Sequence, residues 1–464
     1  MALIKSISGI RGTIGGKPGQ GLTPIDVTRF TSAYLSLIRH HGGEKHPVIV
    51  VGRDARPSGD LINGIVCATL QSMGADVIDI GLTTTPTTEI AITALQADGG
   101  IIITASHNPA NWNALKLLNR DGEFISSDEG EEILRISEEE SFIYAELADI
   151  GRYSQNDEML SHHIRRILQL PLVDVEAICR ANFKIVVDTV NSSGGIAIPS
   201  LLRALGVKEI ICLNCTPDGN FAHNPEPLPE HLGEISEAVK KHGAHLGIVV
   251  DPDVDRLAFV CENGEMFGEE YTLVAVADYV LQHRGGPTVS NLSSTRTLKV
   301  ITQKAGYEYF ASAVGEVNVV ELMKKTHAVI GGEGNGGIIY PELHYGRDAL
   351  VGVALFLSYL AHTGLTASSL RKSYPNFFMS KNKIDLPENT DIRSILEEIS
   401  KKYSSFPQNK VDGLKIEFPD EWVHLRRSNT EPIIRIYAES LSPDKAEELV
   451  KKFIYEIEQF IPIL

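Results

Sequence analysis

The stretch VIVVGRDARPSG, residues 48–59, runs four β-branched residues straight into a turn rich in Gly, Asp, Pro and Ser. A short continuous apolar run bounded by turn residues is the pattern of a strand buried on both faces. A helical pattern follows, GDLINGIVCATLQSMG, ending at Gly74, and then a second strand-like run, ADVIDIG. The same order returns twice. KIVVDTVNSSGG (184–195) leads through a helix to Gly206 and then VKEIICLN, and PTVSNLSS (287–294) leads through a helix to Gly306 and then YEYFASAVG. Each unit reads as strand, Ser/Gly turn, helix, Gly stop, strand, with the Ser or Gly capping the helix start and the later Gly closing its end. Further runs, GIIITAS (100–106), LGIVVD (246–251) and HAVIGGEG (327–334), complete an alternation of strands and helices that implies parallel sheets covered by helices.

After about residue 370 the texture changes. SYPNFF breaks the pattern, and a charged helix (DIRSILEEISKKY), strands (GLKIEF, EWVHLR, IIRIYAE) and a last helix (PDKAEELVKKFIYEIEQF) follow. The expected architecture is α/β: three tandem similar α/β domains with mixed sheets, then a smaller α+β C-terminal domain. The boundaries read from these shifts are 1–153, 154–256, 257–369 and 370–464.

A chain of 464 residues is too long for one core. Its 43 Lys+Arg against 60 Asp+Glu give a formal net charge of −17, which argues against nucleic-acid and anionic-membrane partners, since both need a basic footprint. No apolar run approaches the ~18–20 residues of a membrane span, and MALIKSISGIRG has no apolar core followed by a cleavage site. Five cysteines fit a reducing compartment, so a cytoplasmic location is expected. Cys212 and Cys215 form C-x-x-C at a strand end rather than at a helix start, and no redox or metal role is expected of them.

Four loops could carry chemistry. In IIITASHNPANWNALK (101–116), Pro109 disfavours helix at Asn108, so Ser106 and His107 are expected in an exposed loop after a buried strand. Ser106 is either a turn residue or a nucleophile awaiting a base or a metal; adjacency to His107 does not by itself make a catalytic pair. In GIVVDPDVDRLAF (247–259), Asp251, Asp253 and Asp255 follow a strand at alternate positions. Three carboxylates so close repel one another unless a cation intervenes, and oxygen-only ligands favour Mg²⁺ or Ca²⁺. An EF-hand is disfavoured because Arg256 stands where its glycine belongs, although Glu262 fills its last position. An aspartyl-nucleophile phosphatase using Asp251 is a more serious rival. GGEGNGG (331–337) places Glu333 and Asn335 among glycines, which suits the vicinal hydroxyls of a sugar. RRSNTEP (426–432) offers Arg426 or Arg427 with Ser428, Asn429 and Thr430 as a phosphate cradle.

Taken in order, T-A-S-H-N-P (104–109), D-P-D-V-D-R (251–256), G-E-G-N-G-G (332–337) and R-R-S-N-T-E-P (426–432), with SGIRG (8–12) and GRDARPSG (52–59), resemble the α-D-phosphohexomutase family across essentially the whole chain. The resemblance implies four domains around a central cleft and an active form phosphorylated on Ser106, with Mg²⁺ held by that group and by Asp251, Asp253 and Asp255. It implies phosphate transfer between C6 and C1 of a hexose or hexosamine phosphate through a bisphosphate. Arg11 and Lys116 would flank the transferred group, Lys116 as a candidate acid/base, with His107 beside them. Arg256, Glu333, Asn335, Arg426, Ser428, Asn429 and Thr430 would bind substrate. Two departures stand out: Gly337 occupies the place of a histidine common in the family, and the usual N-G-x-K reads Asn113-Ala114-Leu115-Lys116. The N-G-G form resembles a subgroup acting on glucosamine phosphate, with phosphomannomutase or phosphoglucomutase activity as the alternative, in a monomer or homodimer. A non-catalytic sugar-phosphate binding protein is a third class, disfavoured because every candidate catalytic group is present.

Overall fold

The computed structural model describes residues 2–6, 9–42, 46–387, 390–427 and 433–460. The first sheet contains β1 (Leu3–Ser6), β2 (Gly9–Thr13), β3 (Val48–Arg53), β4 (Asp76–Leu82), β5 (Gly99–Ile103), β6 (Trp112–Leu118) and β7 (Tyr153–Gln155), in the order β1-β2-β6-β5-β3-β4-β7. The second contains β8 (Lys184–Asp188), β9 (Glu209–Leu213), β10 (Leu246–Val250) and β11 (Leu257–Cys261), in the order β11-β10-β8-β9. The third contains β12 (Thr288–Asn291), β13 (Tyr309–Ser312), β14 (Ile330–Glu333) and β15 (Gly337–Ile339), in the order β13-β12-β14-β15.

The runs β6-β5-β3-β4, β11-β10-β8-β9 and β15-β14-β12-β13 are one arrangement used three times. In each, three strands are parallel and the fourth turns back antiparallel beside them, at the sheet edge for β11 and β15 and between β5 and β2 for β6. The three tandem α/β domains with mixed sheets expected from the repeat are present. Their repeated helices, Gly59–Ser72, Gly194–Ala204 and Thr297–Lys304, are each followed by a left-handed glycine, Gly74 (φ 86°), Gly206 (φ 83°) and Gly306 (φ 87°). The helix starts differ from expectation. Ser58 and Ser193 stand at N-cap positions but make no side-chain cap. Their hydroxyls hold other segments: Ser58 accepts from Asn113 Nδ2 at 2.9 Å and Ser193 donates to the Pro252 carbonyl at 2.7 Å.

Two expected boundaries cut through paired strands. Residue 256 falls between β10 and β11, which pair from Leu246↔Cys261 to Val250↔Leu257, so the second sheet runs on to Cys261. Residue 153 falls at the start of β7, which still belongs to the first sheet through β4. The second and third domains also share a core. Helix Ala349–Thr363 is apolar on every side and buried from Ala349 to Leu360, as a helix must be when packed all round.

The last sheet, β16 (Phe378–Asp385), β17 (Gln408–Asn409), β18 (Leu414–Glu417), β19 (Trp422–Arg427) and β20 (Ile433–Ser440), is antiparallel throughout, in the order β16-β20-β19-β18-β17. Val450, Phe453 and Ile457 from helix Pro443–Glu458 lie on one face and join Ile434 and Ile436 in its core. This is the α+β C-terminal domain. Its seam with the third domain is polar: Ser293 Oγ meets His424 Nδ1 at 3.0 Å, and Lys415 Nζ donates to the Leu292 carbonyl at 2.7 Å.

Candidate active site

In each of the three repeated sheets, a candidate loop is the turn from the last parallel strand into the antiparallel strand: β5 to β6, β10 to β11, β14 to β15. These turns sit at the carboxyl ends of parallel strands, where open α/β sheets bind ligands.

The first loop is shaped from below by one arginine. Arg56, 1% exposed, donates from Nη2 to the carbonyls of Ser106 and of Asn108 (2.6 Å). Its Nη1 donates to the carbonyls of Pro109 (2.6 Å) and Trp112 (3.0 Å), and its Nε to Asp54 Oδ2 (3.0 Å). Asp54 Oδ2 also accepts from Thr104 Oγ1 at 2.6 Å, whose oxygen accepts from the Ser106 amide at 3.0 Å. Held this way, Ser106 adopts a left-handed backbone (φ 49°), a conformation a serine keeps only under constraint. The expectation of an exposed loop is corrected here. Pro109 reaches solvent, but Ser106 is 5% exposed, because its hydroxyl is turned onto Asp251 Oδ2 at 2.8 Å. His107 Nδ1 lies 3.4 Å from the same hydroxyl. Arg256, burial and Arg11 together push the His107 pKa well below the usual histidine value, so its imidazole is neutral.

Asp251, Asp253 and Asp255 are all 0% exposed, and each offers an oxygen within 4.8 Å of the others. The loop that carries them is anchored on three domains. Asp253 O accepts from the Thr85 amide (2.9 Å), Pro252 O from Ser192 and Ser193 (2.7 Å each), and Val254 O from the Ala349 amide (3.2 Å). Val254 itself has φ 63°, a strained value for a β-branched residue. Protein donors take both oxygens of Asp251 and one oxygen each of Asp253 and Asp255. Asp251 Oδ1 accepts from the amides of Asp255 (3.2 Å) and Arg256 (3.1 Å), and Asp253 Oδ2 from Thr85 Oγ1 and Lys116 Nζ (2.6 Å each). Asp255 Oδ2 accepts from Arg347 Nη2 at 2.7 Å. Asp253 Oδ1 and Asp255 Oδ1 are left buried without a hydrogen-bond partner. Burial, then Asp255 and Asp253, raise the Asp251 pKa well above the carboxylate range. Buried acceptor oxygens with no donor, on an all-oxygen set under mutual repulsion, fit a hard divalent cation. An EF-hand is ruled out, since strands β10 and β11 flank the loop and Glu262 binds Ser368 instead.

Lys116 and Arg11 come from neighbouring strands, β6 and β2, where Arg11 lies opposite Ala114. The two-residue period then puts Arg11 and Lys116 on one face. Burial works against the Lys116 ammonium, but Asp253 and Asp255 outweigh it, so its pKa is raised. The Arg11 pKa is lowered by burial and by Arg256, and its Nη1 reaches Asn108 Oδ1 at 3.4 Å. Arg256 pairs with Glu226 at 3.2 Å. In the glycine-rich loop, Glu333 is 3% exposed with both oxygens engaged: Oε1 by Asn291 Nδ2 (2.7 Å) and the Gly315 amide (3.1 Å), Oε2 by Arg347 Nη1 (2.7 Å). Asn335 is more open and accepts from the Gly337 amide at 3.2 Å.

Ser106, His107, Lys116, Arg11, the three aspartates, Arg256 and the Glu333 loop are thus linked by direct contacts or share a sheet face. On β19, Arg426 and Arg427 point to opposite faces. Arg426 pairs with Asp412 at 3.3 Å, and Asp412 accepts from the Val314 amide of the third domain at 3.0 Å. Arg427 is exposed and lines a separate cavity of about 460 Å³ with Ile392, Arg393 and Leu396. Ser428, Asn429 and Thr430 lie outside the described residues. Arg56, Thr85 and Arg347 were not picked out as site residues from the sequence. Arg56 lies inside GRDARPSG, a visible signal; Thr85 and Arg347 carried none, because their partners are distant in the chain.

Four consecutive segments match the domains described for phosphoglucomutase/phosphomannomutase: α/β/α domains I, II and III over residues 3–144, 161–264 and 268–377, and the C-terminal domain over 383–456. The chain belongs to this family of α-D-phosphohexomutases, isomerases acting on phosphohexoses. A phosphoglucomutase/phosphomannomutase of Thermococcus kodakarensis is 36% identical over 97% of this chain and 98% of its own. A phosphoglucosamine/phosphogalactosamine mutase of Sulfurisphaera tokodaii is 33% identical over 97% and 98%. A crystal structure of a family protein from Burkholderia thailandensis superposes with a TM-score of 0.85 at 27% identity, covering 98% of this chain and 97% of that one. Among the described residues, no helix is long and apolar enough to cross a membrane.

Proposed function

We propose that the protein interconverts a hexosamine or hexose 6-phosphate and its 1-phosphate through a phosphorylated Ser106 and a bisphosphorylated sugar, with glucosamine phosphate the first-choice substrate. The observation that carries this reading is the Ser106 hydroxyl set 2.8 Å from Asp251 beside two aspartates with orphaned oxygens. In the first half-reaction the P–Oγ bond of phosphoserine breaks as a bond forms to the free sugar hydroxyl. The proton that hydroxyl loses is matched by one gained at Ser106 Oγ. Reversal with the sugar turned end for end returns the other phosphate to serine.

Ser106 and the three aspartates would hold Mg²⁺, which supplies charge compensation for the phosphoryl oxygens. Lys116, kept as an ammonium by Asp253 and Asp255, would donate a proton to Oγ as it leaves. His107, whose pKa Arg256, burial and Arg11 hold well below the usual histidine value, sets an uncharged imidazole beside Oγ as a hydrogen-bond partner. Arg11 and Arg256 bring guanidinium groups to the same centre, and Asn335 is the open polar group of the sugar loop. Arg426 with Ser428, Asn429 and Thr430 forms the site for the non-reacting phosphate. The glucosamine preference is supported by the N-G-G loop and by the Sulfurisphaera relative, while the Thermococcus relative's name keeps hexose phosphates in the assay.

Phosphate-labelled sugar incubated with the protein should leave label on Ser106, and Ser106→Ala should stay folded while losing turnover by several orders of magnitude. Label on Asp251 would instead establish the phosphatase chemistry. Rates with the 6-phosphates of glucosamine, glucose and mannose decide the sugar.

A further inference from the structure

Gly337 opens β15 opposite Glu333 and is not among the residues of positive φ, so its backbone does not demand glycine. Space demands it. A Cβ there would lie 2.3 Å from Cδ and 3.0 Å from Cγ of Arg347. Arg347 has little freedom to give way, because both of its terminal nitrogens are hydrogen-bonded to buried carboxylates and its Nε is ion-paired without a hydrogen bond. Nη2 holds Asp255 Oδ2 and Nη1 holds Glu333 Oε2, each at 2.7 Å, and Nε pairs with Glu316 Oε2 at 3.1 Å. Its amide also donates to Glu316 Oε1 at 2.8 Å.

The three carboxylates belong to three separate segments: the acidic loop, the glycine-rich loop, and the start of helix Glu316–Thr326. One planar cation, 9% exposed, therefore spans the distance between two of the site's loops. The grip is selective within Asp255. Arg347 and Lys116 take Oδ2, and Oδ1 is the atom left without a hydrogen bond. Within Glu333 it takes Oε2, the oxygen that Asn335 Nδ2 also approaches, at 3.5 Å.

We propose that Arg347 is a positioning residue that couples the acidic loop to the glycine-rich loop, aiming Asp255 Oδ1 at a bound cation and fixing Glu333 and Asn335 for the sugar, and that residue 337 is glycine to leave its side chain room. The proposal rests on reading the three aspartates as cation ligands. A guanidinium is suited to it because its fork reaches two carboxylates at once, whereas an ammonium is a point charge. It touches neither the transferred group nor, on this reading, the cation.

Gly337→Ala is the decisive variant, because it removes no charge and puts one methyl group into the Arg347 stem. Calorimetric titration with Mg²⁺ should show affinity about 10–100-fold weaker, the range for groups that orient metal ligands. KM for the sugar phosphate should rise, while the melting temperature stays near that of the unaltered protein. Arg347→Lys should give the same pattern. Adding Gly337→Ala to Arg347→Ala should cost little more Mg²⁺ affinity, since the methyl group then meets only Asn335 Oδ1, at 3.1 Å. Mg²⁺ affinity in Gly337→Ala within about twofold of normal, or losses that add in the double variant, would overturn the coupling role. Failure of the unaltered protein to bind Mg²⁺ at all would overturn the cation reading beneath it, a result distinct from either.

Discussion

Replacing Arg56 separates holding the fold from holding Ser106. Its guanidinium serves four loop carbonyls and one buried carboxylate, Asp54, at 0% exposure. Arg56→Met keeps the stem and strips all five bonds. Breaking a buried ion pair by removing one partner costs about 3–5 kcal/mol, and each stranded carbonyl adds about 1–3 kcal/mol unless water reaches it. Part of the loss is recovered, because burial raises the Asp54 pKa and protonation lets it shed its charge. A net loss of roughly 4–6 kcal/mol is expected, enough to melt the first domain of a marginally stable chain. Arg56→Lys is the informative change. It preserves the charge beside Asp54 but cannot span carbonyls from Ser106 to Trp112, so about half that loss is expected. Turnover should fall at least ~100-fold on the proposed mechanism, because Ser106 is no longer held in its left-handed turn. Urea unfolding followed by circular dichroism gives the first quantity, and steady-state rates with whichever hexose phosphate the unaltered protein isomerises give the second. Near-normal turnover in a folded Arg56→Lys protein would refute the reasoning and show that the loop keeps its shape unaided.

Asp253→Asn should weaken Mg²⁺ binding and lower turnover, with partial recovery in excess Mg²⁺; full activity of the unaltered protein in chelator would contradict it. His344 supplies a pH dependence. Burial opposes its charge, but Asp348 and Glu89 outweigh that and raise its pKa to about 9. Raised above the unfolded value, it gives stability present below about pH 6.5 and lost as pH climbs through 9, worth at most ~3 kcal/mol. Glu89, pushed up to about 8 chiefly by burial, slopes the same way, and His163 faces the cluster through Asp348 at 2.9 Å. The melting temperature should therefore fall from pH 6.5 to 9 more steeply in the unaltered protein than in His344→Gln, and parallel curves would exclude the cluster as the cause. Arg426→Ala should reduce kcat/KM about 10–100-fold in both reaction directions, and Arg427→Ala much less, because the latter faces the other side of β19. An Arg426→Ala variant that spares one direction would place the distal phosphate elsewhere.

The repeated architecture was legible because its parallel strands are buried on both faces, so VIVV, KIVV and GIVV stand out as unbroken apolar runs. The antiparallel strands beside them did not. β6 carries Asn113 and Lys116 among its apolar residues, β15 has three residues, and both merge in the sequence with the loops before them. β16 was missed as well: its half-buried positions Ser380 and Asn382 are polar, so its alternation of burial leaves no apolar/polar alternation in the sequence. In the site, three aspartates at alternate positions announce their own repulsion, and a serine before His-Asn-Pro announces a turn. Nothing announces Arg347, whose meaning lies in contacts to residues 92 and 14 positions away, or Thr85, 168 positions from Asp253. Long-range charge pairing is invisible to local pattern.

The acidic loop is a turn of the second sheet, yet its carbonyls are held by Thr85 of the first domain, by Ser192 and Ser193 of its own, and by Ala349 of the third. Its geometry is a tripod, and a tripod tilts when any foot lifts. A small rotation of one domain therefore alters the carboxylate cage before it disturbs any sheet. The spacing of the aspartates therefore depends on the seating of the first domain against the joined second and third.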